Sequence, residues 1–275
     1  MTVIAVASAK GQGVTTSAEL LVQLRTTGRR CMLIDADPAG GDWLLRPGVT
    51  PEPGLVSLAM AGRRRLESGE LFNHVQVVGG MELVVGPAAA HQASTALEML
   101  GGRLVAHVRT LADGRDEGWA GPVDAVVDCG RLVPGSPALP LALQADLVVL
   151  VSPAAAAGLV HLPALVEMVG KAGVPAVVLL HGGHGRSSRY DEREVAAAVG
   201  VEVLGTMADD PAAAVRLAED PGRVDARARS PLVRSMTTVS GRAWDLAQRA
   251  VPAAVTTPPP QNAYAPIGWR EQPDG

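Results

Sequence analysis

The stretch from Thr2 to Asp42 constrains the fold more than any other: TVIAVASAKGQGVTTSAELLVQLRTTGRRCMLIDADPAGGD. Thr2 to Ser8 is a short apolar, β-branched run with the length and composition of a strand. Ala9 to Gly13 is a small-residue loop, and Thr15 to Thr27 carries apolar residues at Ala18, Leu21, Val22 and Leu24, which is helical spacing. Cys31 to Ile34 is a second apolar run that stops at Asp35-Ala36-Asp37-Pro38. A glycine loop between a strand and a helix aims backbone N–H groups at an anion, and the helix N-terminus adds partial positive charge. Carboxylates at the end of the next strand then lie beside that anion, where such groups hold a metal ion or position a water.

The loop Lys10-Gly11-Gln12-Gly13-Val14-Thr15-Thr16, followed by Asp35-Ala36-Asp37-Pro38-Ala39-Gly40-Gly41-Asp42, resembles the deviant Walker A ATPases of the ParA/MinD group. Their loop reads Lys-Gly-Gly-x-Gly-Lys-Thr-Thr, and Asp-x-Asp-Pro follows on the second strand. The acidic half matches closely. The loop half departs twice: Val14 stands where the loop lysine should precede Thr15, and the loop is one residue short between Lys10 and Gly13. A loop lysine reaches the β- and γ-phosphates and stabilises charge in phosphoryl transfer. Valine can neither donate a hydrogen bond nor carry charge, and one lost donor typically costs about a hundred- to a thousandfold in rate. Among these proteins the loop looks most like the CpaE/TadZ branch, which is associated with pilus assembly and polar localisation.

The resemblance implies an α/β fold with a mostly parallel, doubly wound sheet and helices on both faces. It implies ATP or ADP with Mg²⁺ as ligand. Lys10, Gly11, Gln12, Gly13, Val14, Thr15 and Thr16 would form what remains of the phosphate cradle. Thr15 and Asp128 would face the metal, Asp35 would orient the attacking water, and Asp37 would support the site. The loops after the last two strands hold the adenine in this group, which here implicates His181, Asp209 and Pro211. The family often has an asparagine where this chain has His181.

Only two lysines occur, Lys10 and Lys171, against a background in which arginine otherwise carries the positive charge. A lysine kept inside the glycine loop therefore carries weight. It reads either as a phosphate ligand that compensates for Val14 or as a solvated loop residue.

The rest of the chain repeats the βα alternation. Gly54 to Leu71 is helical in part and carries Arg63-Arg64-Arg65, a solvated face or a partner or DNA contact. Val75 to Val78 and Met81 to Val85 flank Gly79-Gly80 as a hairpin. Ala93 to Ala112 is a helix that Gly101-Gly102 can break. Val123 to Val127 is an apolar strand ending at Asp128-Cys129-Gly130, a Walker B position in the resemblance. Leu147 to Val151, Val174 to Leu180 and Val201 to Leu204 are further strands. Between and after them, Ala155 to Val169, Glu192 to Ala198, Ala212 to Glu219 and Gly241 to Ala250 are helices. Near-continuous Val/Leu/Ile strands separated by helices mean a parallel sheet covered on both faces. Such sheets bind ligands beyond the carboxyl ends of their strands.

Composition bounds the function. With 275 residues and 47% hydrophobic residues the chain can bury a full core. A net charge of −4 gives no overall field for non-specific nucleic-acid binding. Cys31 and Cys129 sit in apolar runs and read as buried thiols, with the option of facing each other across neighbouring strands. His181 and His184 lack an accompanying Cys or carboxylate cluster and do not make a metal site. No Gly-x-Ser-x-Gly elbow is present. The apolar stretch Leu141 to Leu162 is interrupted by Gln144, Asp146, Ser152, Pro153 and His161, so no transmembrane span is expected. The N-terminal apolar run is too short for a signal peptide, and the expected location is cytoplasmic.

Residues 1–250 are expected to form the P-loop domain. Residues 251–275, with Pro252, Pro258, Pro259, Pro260, Pro266 and Pro273, form a tail unable to build helix or sheet. Tyr264 and Trp269 in it are a docking segment or incidental aromatics. The basic amphipathic membrane helix of MinD relatives is lacking. Three functions follow. One is a degenerate ParA/MinD-like homodimer that recruits a protein partner in positioning or in pilus or secretion assembly. Another is an active ATPase that switches between monomer and ATP-sandwich dimer in partitioning. The last is an anion-binding enzyme unrelated to ATP.

Overall fold

The computed structural model describes residues 1–62, 70–111, 123–182, 190–220, 224 and 229–250. Arg63-Arg64-Arg65, His184 and the tail with Tyr264 and Trp269 lie outside the described residues.

In chain order the elements are β1 (Val3–Ser8), α1 (Val14–Gln23), β2 (Arg30–Asp35), α2 (Leu55–Ala61), β3 (Gln76–Val78), β4 (Met81–Val84), α3 (Ala90–Leu100), α4 (Arg103–Leu111) and β5 (Val123–Arg131). They continue as α5 (Leu139–Ala142), β6 (Leu147–Pro153), α6 (Ala156–Leu159), α7 (Leu162–Lys171), β7 (Ala176–His181), α8 (Glu192–Val199), β8 (Val203–Met207), α9 (Pro211–Glu219) and α10 (Pro231–Ala250). One eight-stranded sheet runs in the order β3-β4-β2-β5-β1-β6-β7-β8. Every pairing is parallel except β3 with β4, which is the hairpin read from the sequence. The strand order reverses around β1, so the loop after β1 lies at the switch point where such sheets hold ligands.

Two apolar layers sandwich the sheet. Residues of α1, α9 and α10 pack with Ile4, Val6, Leu33 and Val126 on one face. Residues of α2, α3, α4, α5 and α7 pack with Ala5, Ile34 and Val127 on the other. At the amino end of the central strands, buried carboxylates satisfy backbone donors. Thr2 N–H donates to Asp124 Oδ1 (2.8 Å) and Val3 N–H to Asp146 Oδ2 (2.7 Å), while Arg109 Nη2 pairs with Asp146 Oδ1 (2.8 Å).

Three local expectations change and one holds. The helix expected from 155 to 169 is two helices, α6 and α7, because Pro163 has no N–H to continue a hydrogen-bond ladder and is tolerated only in a first turn. The last helix begins at Pro231, ten residues before the expected start. Its first half contains Thr237, Thr238 and Val239, poor helix formers, and burial of Leu232, Val233, Met236 and Val239 overrides that propensity. The break after α3 falls at Gly101, as its glycines suggest. Cys31 and Cys129 do not face each other. Both are free and buried, but they lie in opposite layers of the sandwich, because successive residues of a strand point to opposite faces.

Candidate phosphate and metal site at the switch point

The glycine loop and α1 are built for an anion. Gly13 stands before α1 with φ 73°, in the left-handed region, and no side chain caps the helix start. No acidic residue occupies the first turn, so the leading N–H groups of α1 open toward the loop. Gly13 O instead accepts from Ser17 N–H (3.0 Å) and Ser17 Oγ (2.7 Å), which anchors the loop to its helix. Val14, at the position of the family's loop lysine, is 1% exposed and packs in the core layer with Ile4 and Val6. Lys10 is exposed, and its N–H donates to Ser8 Oγ (3.2 Å). Gly11 and Gln12 are exposed as well, while Thr15 and Thr16 are half-buried.

Carboxylates gather beside this loop. Asp35, the last residue of β2, and Asp128, three residues before the end of β5, are register partners on neighbouring strands, each 1% exposed. Asp35 is enclosed: Gly86 N–H donates to its Oδ2 (3.1 Å), and side chains on Gly41 or Gly86 would overlap its carboxyl. Burial first, then repulsion from Asp128, pushes the Asp35 carboxyl well above the carboxylate range. Asp37 is half-buried and accepts from Ala39 N–H (2.8 Å). Its carboxyl is also raised, by burial and then, more weakly, by Asp42. It lies against Gly130, where a side chain would overlap it.

Asp128 is the informative one. Its Oδ1 accepts from Gly130 N–H (3.0 Å), but its buried Oδ2 has no partner of hydrogen-bond geometry among the described residues. Burial pushes the carboxyl up to about 6, and the nearby Thr15 side chain holds back a further rise. At the opposite rim Asp146 has both oxygens partnered, and the Asp124 Oδ2, which also lacks a hydrogen bond, faces the Arg29 guanidinium at 3.5 Å. A buried unpaired carboxylate oxygen is costly unless something else meets it. Among the described residues no group of three or more His, Cys, Asp or Glu could hold a metal by itself. Mg²⁺ takes one or two protein oxygens and completes its shell with waters and substrate phosphates. Thr15 and Asp128 fit that ion.

The remaining expected residues divide. His181 ends β7, and its ring lies 3.6 Å from the Cβ position of Gly13, so it flanks the loop. Asp209 is exposed, and Pro211 is the first residue of α9, which Asp210 caps through Ala213 N–H (3.0 Å). Other site residues were not singled out from the sequence. Gly41 and Gly86 wall in Asp35, and Arg131 lies over the loop. The sequence signal for Arg131 is its place three residues after Asp128, directly behind a glycine.

The same architecture recurs in solved structures. A ParA family ATPase from Chlorobium tepidum TLS superposes with a TM-score of 0.68 at 16% identity, over 87% of this chain and 97% of that one. This chain has the ParA/MinD-like P-loop fold. MinD from Pyrococcus horikoshii OT3, complexed with Mg-ADP, gives 0.66 at 19% identity over 91% and 98% of the two chains. Apo McdA from Cyanothece gives 0.64 at 20% identity over 89% and 99%. No protein-family profile matches the sequence, and no curated protein matches it. The ParA/MinD-like fold explains why the loop after β1, the Asp35–Asp42 loop and the end of β5 meet at one rim. Among the described residues no helix is long and apolar enough to cross a membrane.

Proposed function

We propose that this protein is a positioning or partitioning protein of the ParA/MinD type that binds a nucleoside di- or triphosphate with Mg²⁺ and hydrolyses it weakly or not at all. The observation that carries the reading is the buried Asp128 carboxyl at the open start of α1, whose Oδ2 has the Thr15 side chain beside it and no hydrogen bond of strict geometry. A phosphate-bound Mg²⁺ would take its protein oxygens from that pair. Backbone N–H groups of residues 11–16 would hold the phosphates. Mg²⁺, when bound, would neutralise phosphate charge. Burial of Val14 supports weak turnover, because the residue next to the cradle adds no charge to it. Of the two acidic-loop carboxylates, the half-buried Asp37 is better exposed to meet a water, with the enclosed Asp35 behind it. His181, Asp209 and Pro211 would contact the base, and the His181 ring, which flanks Gly13, supports that reading.

Function would then rest on nucleotide-modulated homodimerisation and recruitment of a protein partner in the cytoplasm, in cargo positioning or in pilus or secretion assembly as in the CpaE/TadZ branch. The partition, MinD and McdA proteins that share the fold support the broader role. Residues 1–250 would carry it, and the proline-rich tail would be an appendage. A second reading, an ATPase with full turnover, is favoured by Lys10, which is exposed within the loop and free to move toward a phosphate.

Calorimetric titration with Mg-ATP and Mg-ADP, followed by phosphate release and by sedimentation with and without nucleotide, tests these readings. Micromolar binding with slow release and a nucleotide-dependent dimer supports the first. Rapid release that Lys10→Ala abolishes supports the second. No heat at millimolar nucleotide overturns both.

A further inference from the structure

β5 does not run straight past the site. Its register against β1 pairs Val6 with Asp128 but Ser8 with Arg131, so one extra residue bulges out of β5 between them. Gly130 sits in the bulge at φ 53°, in the left-handed region, with no room for a side chain beside Asp37. Bulges next to functional sites re-aim the following side chain. Here that side chain is Arg131. It is exposed, its Nε donates to Ala9 O (3.1 Å) in the phosphate loop, and its Cβ lies 3.9 Å from the Cβ position of Gly11. Among the described residues its two η nitrogens carry no bond, so the outer edge of the guanidinium is available above the loop. Four aspartates surround the site, and the residue at the loop-lysine position is buried and apolar.

We propose that Arg131 supplies the phosphate-contacting positive charge that Val14 cannot, so that a strand-end arginine replaces the loop lysine in binding a Mg²⁺-bound nucleoside polyphosphate. The inference rests on the nucleotide reading above and names the residue that makes it workable. A guanidinium held at Nε presents a rigid two-donor edge that matches two phosphate oxygens, whereas the Lys10 ammonium is a point charge on an unrestrained stem. The Nε bond to Ala9 fixes the side chain to the loop that cradles the anion, so little rotamer freedom is lost on binding.

The test is calorimetric titration of the full chain with Mg-ATP and Mg-ADP, comparing wild type, Arg131→Ala, Arg131→Lys and Lys10→Ala. Arg131→Ala is expected to weaken Mg-ATP binding about ten- to a hundredfold. Arg131→Lys should recover part of that loss, and Lys10→Ala should change affinity less than Arg131→Ala. The melting temperature of the nucleotide-free Arg131→Ala protein, at an exposed position, should stay near wild type; if the alanine variant does not fold, Arg131→Gln takes its place. Wild-type affinity in Arg131→Ala, or a loss carried by Lys10→Ala instead, overturns the inference while leaving nucleotide binding intact. Absence of Mg-ATP and Mg-ADP binding by the wild type at millimolar concentration overturns the nucleotide reading itself, and the inference with it.

Discussion

Asp35 at the end of β2 and Asp128 in β5 are register partners, and both carboxyls are buried on the rim where the glycine loop opens. Two anions so placed repel one another, and burial penalises each further. The arrangement disfavours the ion-free protein, and a divalent cation or a proton relieves it.

The sign of the pH effect follows from Asp128. Its carboxyl rises from 3.8 to about 6 on folding, so between those values the folded protein binds more protons than the unfolded chain. Its stabilising contribution is therefore complete below about pH 4 and lost as pH rises through about 6. Asp128→Asn should flatten this dependence and stabilise the ion-free protein at pH 7.5 by roughly 2–3 kcal/mol. Urea unfolding of both proteins from pH 5 to 8, with and without Mg²⁺, measures it. A wild type that is equally stable at pH 5 and 8 relative to the variant would refute the account.

Gly130→Ala is expected to destabilise the protein by roughly 1–3 kcal/mol, from a left-handed backbone and an overlap with the Asp37 carboxyl. Asp37→Ala in the same chain should recover the part due to overlap and leave the part due to φ. A double-mutant cycle by thermal unfolding separates the two. Additive effects would mean that Asp37 does not press on the bulge.

Arg46 ties the acidic loop to the phosphate helix. It pairs with the buried Glu19 of α1, donates to Leu217 O (3.3 Å) and stacks 3.8 Å from the Trp43 ring centre. Arg46→Ala strands the Glu19 carboxylate in the core and should cost about 3–5 kcal/mol. Glu19, raised by burial and lowered by Arg46, would then rise further, so the variant should lose more stability at pH 8 than at pH 5. Arg46→Met with Glu19→Leu should recover most of the loss. Chemical denaturation of the wild type and the two variants at pH 5 and pH 8 reads the result.

Trp244 of α10 is fully buried and donates through Nε1 to Leu21 O of α1 (3.0 Å), while Ser240 Oγ donates to Leu24 O (3.1 Å). Trp244→Ala should cost about 3–5 kcal/mol, because it leaves a large cavity and an orphaned carbonyl. Trp244→Phe should cost less. Loss of nucleotide affinity in Trp244→Phe without loss of stability would show that α10 sets the loop's geometry as well as its support.

The βα alternation, the parallel sheet, the hairpin around Gly79-Gly80 and the loop rim at the strand ends are legible in the chain's residues alone. Those are written in short-range signals: period, run length, glycine and proline. The residues also mark the loop, the acidic turn and Asp128, because each is a contiguous string. Strand neighbours come from the folded sheet, and with them the placing of Asp35 beside Asp128, of Cys31 and Cys129 in opposite layers, and of Gly41 and Gly86 around Asp35. The fold also sets the first half of α10, whose weak helix formers are held by burial against α1, and the one-residue bulge that brings Arg131 over the loop. The physical reason is common to all of these. Strand pairing, register and burial are made by residues far apart in the chain, and no local propensity encodes them.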